Sequence, residues 1–231
     1  MDSPASNPPT RNDTTSDTDA VRRVRGFLAG AMLLIAGLAA AQVPPPTPDA
    51  PLPWRLTISG VWYSGTTPYR LVGASSGDVH FDSAGGWGAR LSHDVLPWFD
   101  VGVSWTHVVT DLRLAGPESL ALGSRQINTM EAGGDFHWVH GPLRLSFLTG
   151  IGGAGTGTAK GSINLTASVG AGASFSLDRH LAVSFAERWR ATYGNLAPGD
   201  RYAFCDETGC YAYRSKFYEN REAVGGLTLV F

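Results

Sequence analysis

Charge is scarce in this chain and leans to neither side. Of its 231 residues, 18 are Lys or Arg and 20 are Asp or Glu, a formal net charge of −2. That balance gives no support for binding nucleic acid. Cysteine is nearly absent. Cys205 and Cys210 are the only two, and neither has a His at the spacing of a zinc site. After Trp54 no stretch repeats with the 3.6-residue period of an amphipathic helix. Phosphate-binding loop, metal-ligating motif and nucleophile elbow are all missing. His93, His107, His137 and His140 each have a Ser or an acid close in sequence, as in Ser92-His93-Asp94. Such neighbours alternate across a strand and need not meet. The expectation is a chain without a catalytic residue, cofactor or metal.

No apolar run is long enough to be a comfortable membrane helix, which needs roughly 20 residues. The run from Phe27 to Ala40 follows the basic segment Arg22-Arg23-Val24-Arg25 and ends in Ala39-Ala40-Ala41. Basic, apolar and small residues in that order predict a secretory signal peptide, cleaved after Ala41. No Cys follows that point, which argues against a lipoprotein anchor. The general secretory route fits better than twin-arginine export. Residues 1–20 are Pro, Ser, Thr, Asn and Asp with almost nothing apolar, and should not fold. Their length ahead of the basic segment points to Val21 as the start. Pro44, Pro45, Pro46, Pro48, Pro51 and Pro53 make 42–53 an extended linker. The expected organisation is thus signal region 1–41, periplasmic linker 42–53 and one folded domain, 54–231. Export to an oxidising compartment and an even count of cysteines predict a Cys205–Cys210 disulfide.

What the chain does have is alternation with a period of two. In 162–177, Ile163, Leu165, Ala167, Val169, Ala171, Ala173, Phe175 and Leu177 share one face. Asn164, Thr166, Ser168, Gly170, Gly172, Ser174 and Ser176 share the other. Similar strands are expected at 54–65, 79–93, 99–111, 124–139, 142–153, 181–193 and 216–231. They exceed the roughly 5–6 residues of most soluble strands and suit a membrane barrel, whose segments run about 10 residues. Short turns at 94–98, 140–141 and 178–180 alternate with the links 66–78, 112–123, 154–161 and 194–215. Barrels keep short turns in the periplasm and long loops outside. The predicted fold class is all-β: an eight-stranded antiparallel up-and-down transmembrane β-barrel. Trp54, Trp98 and Phe231 are expected in the periplasmic aromatic belt, and Trp62, Tyr63 and Tyr193 in the outer one. Glu187 falls on the apolar side of its strand with Val183, Phe185 and Trp189, so a bulge is expected there to turn it inward.

The final stretch adds a resemblance. Gly226, Leu229 and Phe231 match the C-terminal sorting signal of outer-membrane barrels: a Gly, then a hydrophobic residue two before a terminal aromatic. Val224 departs from the polar residue that pattern favours. In strand number and loop lengths, 54–231 resembles the small OmpA/OmpX-type barrels. The resemblance implies outer-membrane lipid as surroundings, with periplasmic chaperones and the barrel-assembly machinery as partners during export. A monomer is expected. The eight-stranded lipid A deacylases carry His-x-Ser on one strand face; here no His is followed two later by Ser.

A barrel of eight strands is just wide enough for side chains to fill. The inward faces carry Arg55, Arg90, Glu131, Asp135, Arg144, Arg188, Arg190 and Glu222, with His137 nearby. Charges placed there must pair or meet water. The favoured reading is a pairing network that plugs the lumen, giving a structural or surface-interaction role through four outer loops. The alternatives are a narrow channel for ions or small solutes and a lipid-modifying enzyme. In the last link Arg201, Tyr202, Phe204, Tyr211, Tyr213 and Arg214 are residue types that dominate recognition surfaces, but they name no ligand.

Overall fold

The computed structural model describes residues 53–72, 77–115, 120–156, 163–194, 204–206, 209–213 and 217–231. The signal region and all of the Pro-rich linker but Pro53 lie outside these residues, as do Arg201, Tyr202 and Arg214. Among the described residues, twelve strands form one antiparallel sheet. They are β1 (Trp54–Tyr63), β2 (Tyr69–Val72), β3 (Gly77–Phe81), β4 (Ala84–Leu96), β5 (Phe99–Leu114) and β6 (Leu120–His140). After them come β7 (Leu143–Thr156), β8 (Ile163–Ser176), β9 (Leu181–Tyr193), β10 (Phe204–Asp206), β11 (Gly209–Tyr213) and β12 (Phe217–Val230).

Eight strands close a ring in the order β1, β4, β5, β6, β7, β8, β9, β12, and β12 returns to β1. Closure satisfies every ladder without leaving an edge, the condition for strands to cross a lipid bilayer. At the seam Trp54 N donates to Phe231 O at 2.8 Å and Phe231 N donates to Trp54 O at 3.0 Å. The hydroxyls of Thr57 and Thr228 meet there at 2.8 Å. Gly226 is required at this seam, because a Cβ on it would lie 2.3 Å from Ile58 O.

The ladders also show the tilt of the strands. A row of paired residues runs from Trp62 through Ala223, Glu187, Ala171, Phe147 and Phe136 to Phe99. It leaves one end of the barrel at Trp62 and reaches the opposite end at Phe99. It meets β4 at Gly85 on one side and at Leu96 on the other. That offset is the shear of a closed, tilted barrel.

Three connections are short. Pro97-Trp98 joins β4 to β5, Gly141-Pro142 joins β6 to β7, and 177–180 joins β8 to β9. Gly141 has φ +58°, which a glycine adopts without strain. Asp178 Oδ1 accepts from the backbone N–H of His180 and Leu181, at 2.6 and 2.8 Å, and fixes its turn. All three lie at the end where the ring closes on Phe231; the long connections lie at the other.

The outer wall is apolar. Ile58, Val103, Met130, Ile151, Leu165 and Leu227 are exposed there, while the inward positions are Ser, Thr, Arg, Asp and Glu. A soluble lipocalin-like barrel would have the reverse polarity. Trp54, Trp98, Trp138 and Phe231 ring the short-turn end, and Trp62, Trp87 and Trp189 are exposed nearer the long-loop end. Amphipathic rings favour these two levels.

Three expectations are corrected. The second strand does not run unbroken over 79–93. It breaks at Asp82-Ser83, where Thr110 Oγ1 donates to Asp82 O at 2.6 Å, and β3 and β4 follow one another along β5. The turn expected at 94–98 is only Pro97-Trp98, so Asp94 belongs to β4 and faces inward. Glu187 is not turned inward: β9 pairs in unbroken register with both β8 and β12, and Glu187 is exposed on the outer wall. Alternation decides it: Arg188 and Arg190 face the lumen and no bulge interrupts the ladders, so Glu187, the seventh of the thirteen residues of β9, faces out with Phe185 and Trp189. Two residues on, Trp189 lies beneath Arg221, 4.9 Å from guanidinium carbon to ring centre.

Candidate functional site in the barrel lumen

Because side chains alternate, every second residue of the eight long strands points into a space that only they can fill. All eight predicted lumen charges point there. Glu131, Asp135, Arg144, Arg188, Arg190 and Glu222 are buried, and Arg55 and Arg90 are half-buried. Two carboxylates join them that the sequence reading missed, Asp94 and Asp100, 5% and 3% exposed.

These groups divide into two layers. The layer near the short turns is centred on Arg144. Its Nη1 and Nη2 donate to Asp94 at 3.2 and 3.1 Å, and Nη2 also reaches Asp100 Oδ2 at 2.5 Å. Arg55 donates to the same Asp94 from the neighbouring strand, with Nη2 3.0 Å from Oδ2. Arg90 lies between Asp100 at 3.1 Å and Asp135 at 2.9 Å. His137 is buried beside Arg144, with Nδ1 2.8 Å from its Nη2, so that nitrogen accepts.

The second layer is nearer the long loops. Arg190 grips Glu131 through two parallel hydrogen bonds, Nε to Oε1 at 2.9 Å and Nη2 to Oε2 at 3.1 Å. Its Nη1 pairs with Glu222. Ser168 Oγ adds a third donor to Glu131 at 3.0 Å. Arg188 lies close to this layer in sequence, but it forms no ion pair with any described residue.

Asp94, Asp100 and His137 each bring one possible metal-ligand atom within 4.8 Å of the others. All three atoms are turned on Arg144, however, so a guanidinium occupies the place a cation would take. The arrangement neutralises charge and holds strands together; it offers no activated nucleophile.

Above the second layer the lumen turns apolar. Val61 and Tyr63 of β1, Val108 and Leu112 of β5, and Leu122 and Ile127 of β6 point inward at the long-loop end. Packed on them are Tyr69 and Leu71 of β2, Val79 and Phe81 of β3, and Tyr211 of β11. Tyr69 and Phe81 meet edge to face at 5.6 Å. The cap exists because β3 extends the wall beside β5, β2 pairs with β3, and the β10–β11 hairpin pairs with β2. Tyr63, expected in an aromatic belt, is therefore corrected: with Trp62 facing out, alternation turns Tyr63 in, where it is 3% exposed.

The remaining predicted residues lie at the two ends. Gly226 is on the β1–β12 seam, and Leu229 and Phe231 are exposed on the outer wall at the short-turn end. Cys205 and Cys210 are directly opposed in register between β10 and β11.

A scan against protein-family models and a sequence search of curated proteins gave no match. Solved structures do match. The outer membrane protein OprG from Pseudomonas aeruginosa is similar at TM-score 0.54 and 9% identity, over 78% of this chain and 96% of that one. Ail, the attachment invasion locus protein of Yersinia pestis, matches at TM-score 0.45 and 14% identity, over 79% of this chain and 100% of that one. Neisserial surface protein A matches at TM-score 0.45 and 11% identity, over 77% and 97%. With an apolar outer wall, a polar lumen and a ring of eight strands, this chain has the fold of the small outer-membrane β-barrels.

Proposed function

We propose that the protein is a closed barrel of the bacterial outer membrane. Its short turns face the periplasm, and its working surface is the extracellular sheet of β3, β2, β11 and β10. The role is structural or surface-interacting, without catalysis. The observation that carries this reading is the apolar cap. A conducting lumen needs a continuous polar path, and at the long-loop end Tyr69, Leu71, Phe81 and Tyr211 are buried in one apolar cluster with lumen-facing Val61, Tyr63 and Val108, which supports a closed barrel. The ion pairs below present further obstruction.

The same reading assigns the ends. Cys205 and Cys210 form a disulfide: directly opposed residues of an antiparallel pair have Cα atoms about 4.5–5.5 Å apart, within the span a disulfide bridges. Gly226, Leu229 and Phe231 form the signal read by the barrel-assembly machinery, after export through a signal peptide ending near Ala41 and passage with periplasmic chaperones. The barrel is a monomer in outer-membrane lipid.

Recordings in planar bilayers test the reading. The folded protein should give no discrete conductance steps, and lipid mass spectrometry should show the same lipid A with and without the gene. Regular single-channel steps from the unchanged protein would establish a channel instead.

A further inference from the structure

On an outer wall built of apolar side chains, His107 of β5 and Asn128 of β6 stand directly opposite one another. His107 Nδ1 donates to Asn128 Oδ1 at 2.8 Å. Both side chains are half-buried and share the outward parity of Val103, Val109 and Met130. The ring's Nε2 and the Asn128 amide nitrogen have no other hydrogen-bonding partner among the described residues. Facing lipid, an unsatisfied donor and an unsatisfied acceptor are costly. The pair thus presents an acceptor, Nε2, and a donor, the Asn128 amide, to whatever lies against the wall.

Trp87 and Trp105 meet edge to face at 4.4 Å, and their ring centres lie 6.0 and 6.2 Å from that of His107. The row of paired residues runs into glycine on either side: Gly225, Gly60, Trp87, His107, Asn128 and Gly155. A Cβ placed on Gly155 would meet no described atom within 4 Å, so the wall is recessed beside Asn128. The outward neighbours along β5 and β6 are Trp105, Val109, Gln126 and Met130, none of them charged, so the recess has nothing to hold a phosphate. Trp87 belongs to the belt near the long loops, at the level of the headgroups. We propose that this recess binds an amide-linked acyl chain of the outer-leaflet glycolipid, lipid A. The amide N–H donates to His107 Nε2, and its carbonyl accepts from Asn128. The sugar lies toward Gln126 and Gly155, and the chain packs on Trp87 and Trp105 as it runs toward the short turns. An ester has no N–H, so an ester-linked phospholipid cannot complete the pair. The site rests on the orientation proposed above, with the long loops outside.

Native mass spectrometry of the full chain, folded in detergent, tests this. Lipid A and phosphatidylglycerol, whose chains are ester-linked, are offered at equal concentration. The unchanged protein should retain lipid A about tenfold more strongly, the discrimination that two hydrogen bonds supply. His107→Leu combined with Asn128→Leu should bring the two lipids to parity, while Glu187→Leu, the same kind of change elsewhere on the outer wall, should keep the preference. Should the double variant not fold, an ester-linked analogue of lipid A gives a separate reading on the unchanged protein, which should retain it no better than phosphatidylglycerol. Equal retention of lipid A and phosphatidylglycerol, an undiminished preference in the double variant, or equal retention of the amide and ester forms would overturn the site and leave a pair hydrated at the headgroup level. Retention is read on the isolated barrel, so its failure is separate from a failure of the orientation, which the cysteines report in intact cells.

Discussion

Arg190 of β9 reaches across the lumen and grips Glu131 of β6 with two hydrogen bonds, of 2.9 and 3.1 Å. The two strands are not neighbours in the ring, where β7 and β8 stand between them. The pair is therefore a strut across the barrel. It is the bidentate geometry in which Arg binds a carboxylate most strongly, and Glu222 uses the remaining side of the same guanidinium.

Removing that strut should be expensive. Arg190→Ala leaves Glu131 and Glu222 buried and unpaired, and the expected loss is about 3–5 kcal/mol. Arg221→Ala, on the outer wall, should cost less than about 1 kcal/mol. Urea midpoints for the two variants check this. Equal midpoints would mean that water enters the lumen and screens the pair.

The two layers should differ in their response to losing an arginine. Arg144 serves Asp94 and Asp100 together, whereas Arg188 serves no carboxylate directly. Arg144→Ala is expected to destabilise by about 3 kcal/mol and Arg188→Ala by clearly less. The reverse order in urea unfolding would contradict the pairing described for the lumen.

The cap should be separable from the barrel. Tyr211 is fully buried and fastens the β10–β11 hairpin to β2 and β3. Truncating such a side chain costs about 3–5 kcal/mol. In Tyr211→Ala that loss should fall on the hairpin, so proteolysis within 194–216 should speed up. The heat-resistant band of the closed barrel should persist. Loss of that band would show that cap and ring unfold as one unit.

The cysteines report orientation as well as oxidation. In intact cells a membrane-impermeant maleimide should label Cys205 and Cys210 only after mild reduction, and the barrel should remain folded. Labelling without reductant would remove the disulfide. If label enters only after the outer membrane is opened, the barrel is inverted.

Gly226 tests the seam. In Gly226→Val the Cβ would press on Ile58 O and on Ser59. The expected result is a sharp fall in folded protein in the outer membrane. Deleting Phe231 should do the same through the assembly signal. Normal levels of both variants would count against a closure limited by this strand pair.

The long strands were legible because a period of two is a property of sequence alone. For that reason 181–193 was placed without error, and 162–177 to within one residue at each end. The lumen charges followed from the same parity. Asp100 could have been read too, since it shares its face with Gly102, Ser104 and Thr106. Asp94 was hidden by a turn drawn three residues too wide. The cap was not legible. Its short strands, β2 and β3, are too brief to show a period, and what holds them is pairing with β5 and β11, a tertiary matter. Glu187 misled for a different reason: its polarity argues for a bulge, whereas unbroken ladders on both sides keep the alternation that faces it outward.

The seam between β1 and β12 sets the order of events in folding. Thr57 and Thr228, in contact there, are separated by 171 positions along the chain. As the chain emerges, β1 can pair with β4, but its second edge has no partner until β12 arrives. Contacts so distant in sequence form late and slowly. During that interval the open edge of β1 is a template for any other strand. A barrel this simple in its finished topology is thus most vulnerable just before completion, and its last strand serves as a clasp whose arrival ends the danger.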